Sequence, residues 1–197
     1  MENQYALSEK DFQEAKREKV AKPLLWIGII SIIMFFAGLT SAVIVRKGDG
    51  NWFHYDIPSM FLYSTIIIAI SSLFMFSATQ AAKKNNLALV KYSVLATLIL
   101  GIAFIFTQFE GFGQLVSNGI YMSGEGHNAS GSFLYVIAWV HILHLVGGLV
   151  ALSYVVFNAF KERYNSKKLL GLQVCSTYWH FLGAMWIYLY LFFKTII

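Results

Sequence analysis

Charge and cysteine are the two things this chain has least of. Charged residues make up 13% of its 197 positions, about half the ~25% usual for a soluble domain. A single cysteine, Cys175, excludes an internal disulfide and any thiolate metal framework built from this chain alone. Also missing are the alternating apolar–polar segments of a membrane β-barrel, any convincing internal repeat, and any nucleotide-binding or nucleophile-elbow motif. The net charge of +5 is of the sign that nucleic acid attracts, but the basic residues lie in short clusters between apolar runs, so no nucleic acid partner is expected. What remains is hydrophobic: 57% of the chain, distributed in long runs.

Five such runs follow a polar tail. The tail, residues 1–22, is charged and helix-permissive, with Ser8 and Asp11 resembling an N-cap and an acidic first turn. It reads as a short amphipathic helix or a mobile tail at the membrane surface. The runs cover 23–45, 58–82, 91–116, 131–160 and 172–193, each long enough to cross a hydrocarbon core of roughly 30 Å at about 1.5 Å per residue. The first begins too late and runs too long for a signal-peptide core, so it is expected to be retained. The expected architecture is therefore an all-α membrane protein, a single bundle of five transmembrane helices over 23–197. Five spans put the termini on opposite sides. With the N-terminus inside, twelve of the fifteen Lys and Arg residues lie on the inner side. That bias predicts a cytoplasmic N-terminus, an outer C-terminus and residence in the cell (inner) membrane.

Two outer loops carry no domain of their own. The loop at 46–57 holds Trp52, Phe53 and Tyr55, rings suited to the headgroup level, with His54 solvated among them. The loop at 117–130 is rich in Gly and Ser, has no basic residue, and is expected to leave Glu125 and His127 in water.

Few titratable groups fall inside the runs: Glu110, His141, His144 and His180, with Gln108 nearby. His141 and His144 are three apart, so a helix puts both rings on one face, and that face cannot meet lipid. Three readings stay open. Polar groups at this depth hold helices together by hydrogen bonds. Alternatively, His144 and His180, at similar estimated depth on the last two helices, could be axial ligands of a haem, as in a free-standing b-type cytochrome. Or Glu110, paired with His141, could serve a proton relay, as in a small transporter. Small residues at expected helix contacts are Gly38, Ser41 and Ala42 in the first run, Ser71 and Ser72 in the second, and Gly147 and Gly148 in the fourth.

Two stretches carry a resemblance. Residues 131–148 read GSFLYVIAWVHILHLVGG, and the last run contains Tyr178-Trp179-His180-Phe181 followed by Trp186. Together they resemble subunit III of the haem–copper respiratory oxidases, through Gly131, Ser132, His141, His144, Gly148, Tyr178, Trp179, His180, Phe181 and Trp186. The chain is similar to a short five-helix form, lacking the pair of helices that many members carry first, so that the lipid-filled cleft is absent or built by another subunit. It departs from the family elsewhere. Ile32 stands where many members have a glutamate, Gly183 where many have an aspartate, and the Gln108…Glu110 pair is off by one in spacing. The resemblance implies an accessory, non-catalytic subunit of a proton-pumping terminal oxidase. Such a subunit stabilises the catalytic subunit I and supports proton uptake and turnover. It implies no cofactor in this chain, with haem and copper in the partner subunits, and it allows for a bound phospholipid. Partners would be oxidase subunit I, the other oxidase subunits, membrane lipids and a respiratory supercomplex.

Overall fold

A computed structural model describes residues 2–50, 52–124, 128–162, 164 and 169–197, with side chains from residue 19 onward. The described residues form five helices: α1 (Glu2–Gly48), α2 (Ser59–Lys83), α3 (Leu87–Ser117), α4 (Ala129–Phe160) and α5 (Leu170–Ile196). Glu125, His127 and the basic residues Arg163, Lys167 and Lys168 lie outside the described residues.

α1 corrects the first expectation. The polar tail is neither a separate helix nor a loose segment, since its backbone is helical from Glu2 and runs unbroken into the apolar run through Pro23. Helix formation starts before Ser8, so Ser8 is not an N-cap. Proline lacks the N–H that would bond four residues back, and the carbonyl so released belongs to Lys19, an exposed residue.

Short connections set the antiparallel order of the rest. Asn85 takes a left-handed conformation with φ of 55°, ending α2, and the Asn86 side chain accepts from Leu89 N at 3.2 Å to start α3. At the other end of the molecule Asn128 caps α4 in the same way, accepting from Gly131 N at 2.8 Å. The helices run a few residues past the apolar runs at most ends, because such caps recruit the flanking polar residues.

Helices α2 to α5 close a ring, with α2 on α3, α3 on α4, α4 on α5, and α5 back on α2. α1 lies outside, in the groove between α4 and α5. Its buried apolar residues are Ile29, Phe36 and Val43, seven apart, so it touches the ring along one narrow seam. The core of the ring is aromatic: Phe104, Trp179 and Trp186 are each at most 1% exposed. Gly38, Ser41 and Ala42 face away from this seam and are exposed, and a Cβ on Gly38 or Gly147 would meet nothing within 4 Å. These four are therefore not contacts between helices of this chain, whereas Ser71, Ser72 and Gly148 are.

Helices α1 to α4 are both long and apolar enough to cross a membrane. α5 is 27 residues long but carries Gln173, Ser176, Thr177, Tyr178 and His180 in its first half, which lowers its hydropathy below theirs. The structure thus gives a five-helix, multi-pass membrane protein with four candidate spans and a fifth helix buried largely against them.

Candidate functional site

The polar contacts inside the bundle follow a pattern on α2. Ser64-Thr65 and Ser71-Ser72 are seven residues apart, about two helical turns, so the four hydroxyls form a ladder along one side. The ladder receives α5 in antiparallel register. Trp186 Nε1 donates to Thr65 Oγ1 and Trp179 Nε1 to Ser71 Oγ, each at 3.1 Å, while His180 Nδ1 lies 2.7 Å from Ser72 Oγ. It receives α3 as well: Gln108 Nε2 donates to Ser64 Oγ at 2.8 Å, and Ser71 Oγ donates to the Thr97 carbonyl at 3.3 Å. Buried indole and amide donors need partners, and hydroxyls on an adjacent helix provide them where no water reaches.

Close packing accompanies these bonds. A Cβ on Gly101 would stand 2.6 Å from Trp179 Cη2, and one on Gly148 would stand 2.9 Å from Leu182. Gly101 admits the Trp179 indole that reaches across to α3, and Gly148 lets α5 approach α4. Gly131 meets Ile120 in the same manner at 2.8 Å, and Ser132 Oγ donates to the Met122 carbonyl at 2.7 Å, fastening the loop before α4.

The histidines do not form the pairs expected from depth alone. His180 turns to Ser72 on α2. His144 turns the other way: its Nδ1 lies 2.8 Å from the Val140 carbonyl of its own helix, and its ring is 5.7 Å from that of Phe36 on α1. Tyr178 is the α5 residue that reaches this point, donating to the His144 carbonyl at 3.3 Å. His141 is fully buried among Phe36, Phe104 and Trp186, with ring centroids 5.2–6.3 Å away, and neither of its nitrogens has a hydrogen-bond partner among the described residues.

Glu110 does not pair with His141. It is exposed on the outside of α3. Lys91, near the start of the same helix, sits nineteen residues earlier, about 28 Å along the axis and close to one hydrocarbon thickness. Depth along a helix does not fix the face a residue occupies, which is why counting from the apolar run of α3 misplaced the carboxylate.

Each end of the bundle has its own fastening. At the Lys91 end, Lys91 Nζ meets Glu162 Oε1 at 2.8 Å, tying the start of α3 to the end of α4. The hydrogen bond and charge of Lys91 hold the Glu162 carboxyl below its usual range. Tyr164 beside it is pushed up to about 12 by burial. At the other end, Lys47 Nζ and Trp52 Nε1 both donate to the Ile196 carbonyl, at 2.8 and 3.1 Å, and His54 contacts the Ile197 carbonyl. The loop after α1 so caps the last turn of α5, and His54, expected to be simply solvated, has a protein partner. Burial raises the Tyr55 phenol in the same loop.

The family model for cytochrome c oxidase subunit III matches residues 52–195, which takes in α2 to α5. The chain belongs to the cytochrome c oxidase subunit III family. Among similar proteins, the probable cytochrome c oxidase subunit 3 of Nocardia farcinica is 27% identical over 172 residues, covering 85% of this chain and 82% of the relative. The cytochrome c oxidase subunit 3 of Corynebacterium diphtheriae is 27% identical over 81% of this chain and 80% of its own length. The cytochrome bo(3) ubiquinol oxidase subunit 3 of Buchnera aphidicola is also 27% identical, over 85% and 89%.

As a subunit III, the chain is an accessory member of a multi-subunit terminal oxidase. The residues that carried the resemblance acquire structural roles here. Gly131 and Ser132 set the start of α4, Gly148 admits α5, and Tyr178, Trp179, His180 and Trp186 are the donors and ring contacts with which α5 grips α4 and α2. Phe181 packs against the core from a partly buried position. Sequence reasoning missed Ser64, Thr65 and Thr40 (the last bonded by Tyr188 Oη at 3.3 Å). The heptad spacing of Ser64-Thr65 with Ser71-Ser72 was the signal that could have found the first two.

Proposed function

We propose that this subunit III carries no redox chemistry itself and serves as a packing flank for the haem- and copper-bearing subunit I of a proton-pumping oxidase, supporting its stability and proton uptake. Its N-terminus lies in the cytoplasm and its C-terminus on the outer side of the cell membrane, following the twelve-to-three distribution of basic residues. α5 crosses the membrane with the other four helices, its polar half shielded by α2 and α4. Other oxidase subunits and lipids complete the assembly. The observation that carries this reading is the use of α5's polar side chains. Trp179, His180 and Trp186 are spent on the hydroxyls of α2, and Tyr178 on the backbone of α4, so the polar groups at this depth serve helix contacts.

Purification of the native complex tests it. Subunit I with its haems and copper is expected to co-purify, and the isolated chain is expected to show no Soret absorbance. A Soret band on the isolated chain that disappears in His144→Ala would overturn the proposal, as would recovery of the chain from membranes with no oxidase subunit beside it.

A further inference from the structure

α1 rests on α4 and α5 along one narrow seam, so its flank toward α4 is left open. At the Arg46 end this flank forms a groove of about 620 Å³ with α4. Leu39, Phe133 and Val136 give the groove an apolar lining, and Arg46, Asn128 and Ser132 supply its polar groups. Those polar groups are turned to the chain itself. Arg46 meets the Asp49 carboxylate and the Gly50 carbonyl, Asn128 Oδ1 accepts from Ser130 and Gly131, and Ser132 donates to the Met122 carbonyl. With its cation engaged, the groove has nothing that selects a lipid headgroup.

One polar group further down the same flank is not satisfied. His144 stands near the middle of α4, fifteen residues from Ala129 and sixteen from Phe160. Its ring lies against Phe36 of α1, three residues from Leu39, and its Nδ1 is 2.8 Å from the Val140 carbonyl. A carbonyl can only accept, so Nδ1 carries the hydrogen and Nε2 of the neutral ring is a bare acceptor. Nε2 has no partner among the described residues, and it is not sealed in as the nitrogens of His141 are, since His144 is half-buried. An imidazole acceptor at this depth has no water to turn to, so it calls for a donor on another helix.

The surface beside His144 lets a helix come close. Gly147, three residues on, is exposed, and a Cβ there would meet nothing within 4 Å. On α1, Ala42 is exposed between Leu39 and Arg46, and Gly28, eleven residues or about three turns before Leu39, is as open as Gly147. Small residues admit a neighbouring backbone, and the fold uses none of these three for its own contacts. An acyl chain would fill the apolar groove but has no hydrogen to give Nε2. A membrane helix has both apolar side chains for the groove and a side-chain O–H or N–H for the imidazole.

We propose that the α1–α4 flank seats one transmembrane helix of a partner subunit, which presents a hydroxyl or indole donor to His144 Nε2. The proposal rests on the chain's place in a multi-subunit oxidase, and adds where a partner meets the chain and by which contact. The docked helix gives α1, held within the chain by a single seam, a second line of packing.

The test uses the complex purified in mild detergent. A p-benzoyl-phenylalanine in place of Leu143, an exposed neighbour of His144, is expected to crosslink to a transmembrane peptide of another oxidase subunit that contains Ser, Thr, Tyr or Trp. H144F keeps a ring against Phe36 and removes the acceptor. It should increase loss of that subunit on detergent washing about three- to tenfold, the usual worth of a polar contact between membrane helices. G147L should do the same by holding the helix off. Both variants should leave the melting temperature of the isolated chain unaltered. Adducts with lipid or detergent only, or with a second copy of this chain, would overturn the proposal, as would wild-type retention of the partner in both variants. Oxidase subunits present without the crosslink refute the docking alone, whereas a chain recovered with no oxidase subunit refutes its place in the complex as well.

Discussion

Ser72 on α2 and His180 on α5 face each other across the bundle, with Oγ and Nδ1 2.7 Å apart. The contact closes the ring of helices between its first and last members, which are more than a hundred residues apart in sequence. Replacing either partner should loosen α5 on α2. For His180→Ala and Ser72→Ala we expect roughly 0.6–1.7 kcal/mol each. In a double-mutant cycle the second replacement should cost little once the first is made. Unfolding by a graded denaturing detergent measures both, and strict additivity would show that the two groups do not interact.

Gly101→Ala should cost roughly 1–3 kcal/mol, because its new methyl would stand 2.6 Å from Trp179 Cη2 in a packed core. Gly147→Ala, where a Cβ meets nothing within 4 Å, should be neutral or slightly stabilising. The same unfolding assay ranks the two, and a reversed order would mean that the Trp179 indole does not reach Gly101 as described.

His141→Phe should be tolerated and even stabilise the bundle by about 1 kcal/mol. Both nitrogens of the imidazole are buried amid three aromatic rings, without partners among the described residues, so the replacement relieves a desolvation cost at similar volume. Loss of several kcal/mol in the purified subunit would reveal a partner for the ring.

Seen from these three sites, the helices were legible in the chain and their facing was not. Long apolar runs located α3 and α4 to within a few residues, since length is a local property, while the Asn86 and Asn128 caps emerged only from the structure. The family was legible too, because Gly131, Gly148 and the Tyr178–Trp186 stretch keep their spacing on single helices. Which helix His180 meets was not legible. Matching depths between neighbours in sequence suggested His144 on α4, while the ring is closed by α2, a contact that only tertiary packing decides. Glu110 was misplaced because depth alone does not tell which face of α3 it occupies, and that face is the exposed one. The continuity of α1 through Pro23 ran against local propensity.

The tie between Lys91 and Glu162 should respond to acid. The folded carboxyl titrates below its unfolded value, so its contribution is present above about pH 4.3 and is lost as pH falls through the lower folded value. The unfolding midpoint of the wild type should drop toward that of Glu162→Gln below about pH 4, while the variant lacks this step. Parallel curves for the two proteins would remove the tie from the account.

The seam of Ile29, Phe36 and Val43 bears on how the protein is made. α1 precedes the other four helices in chain order, yet it rests only against α4 and α5. During synthesis it waits in the bilayer without a partner while α2 and α3 hairpin together, and it docks once α4 and α5 arrive. Chains cut short after the third helix should therefore hold a paired hairpin beside an orphaned first span, a substrate for membrane quality-control proteases.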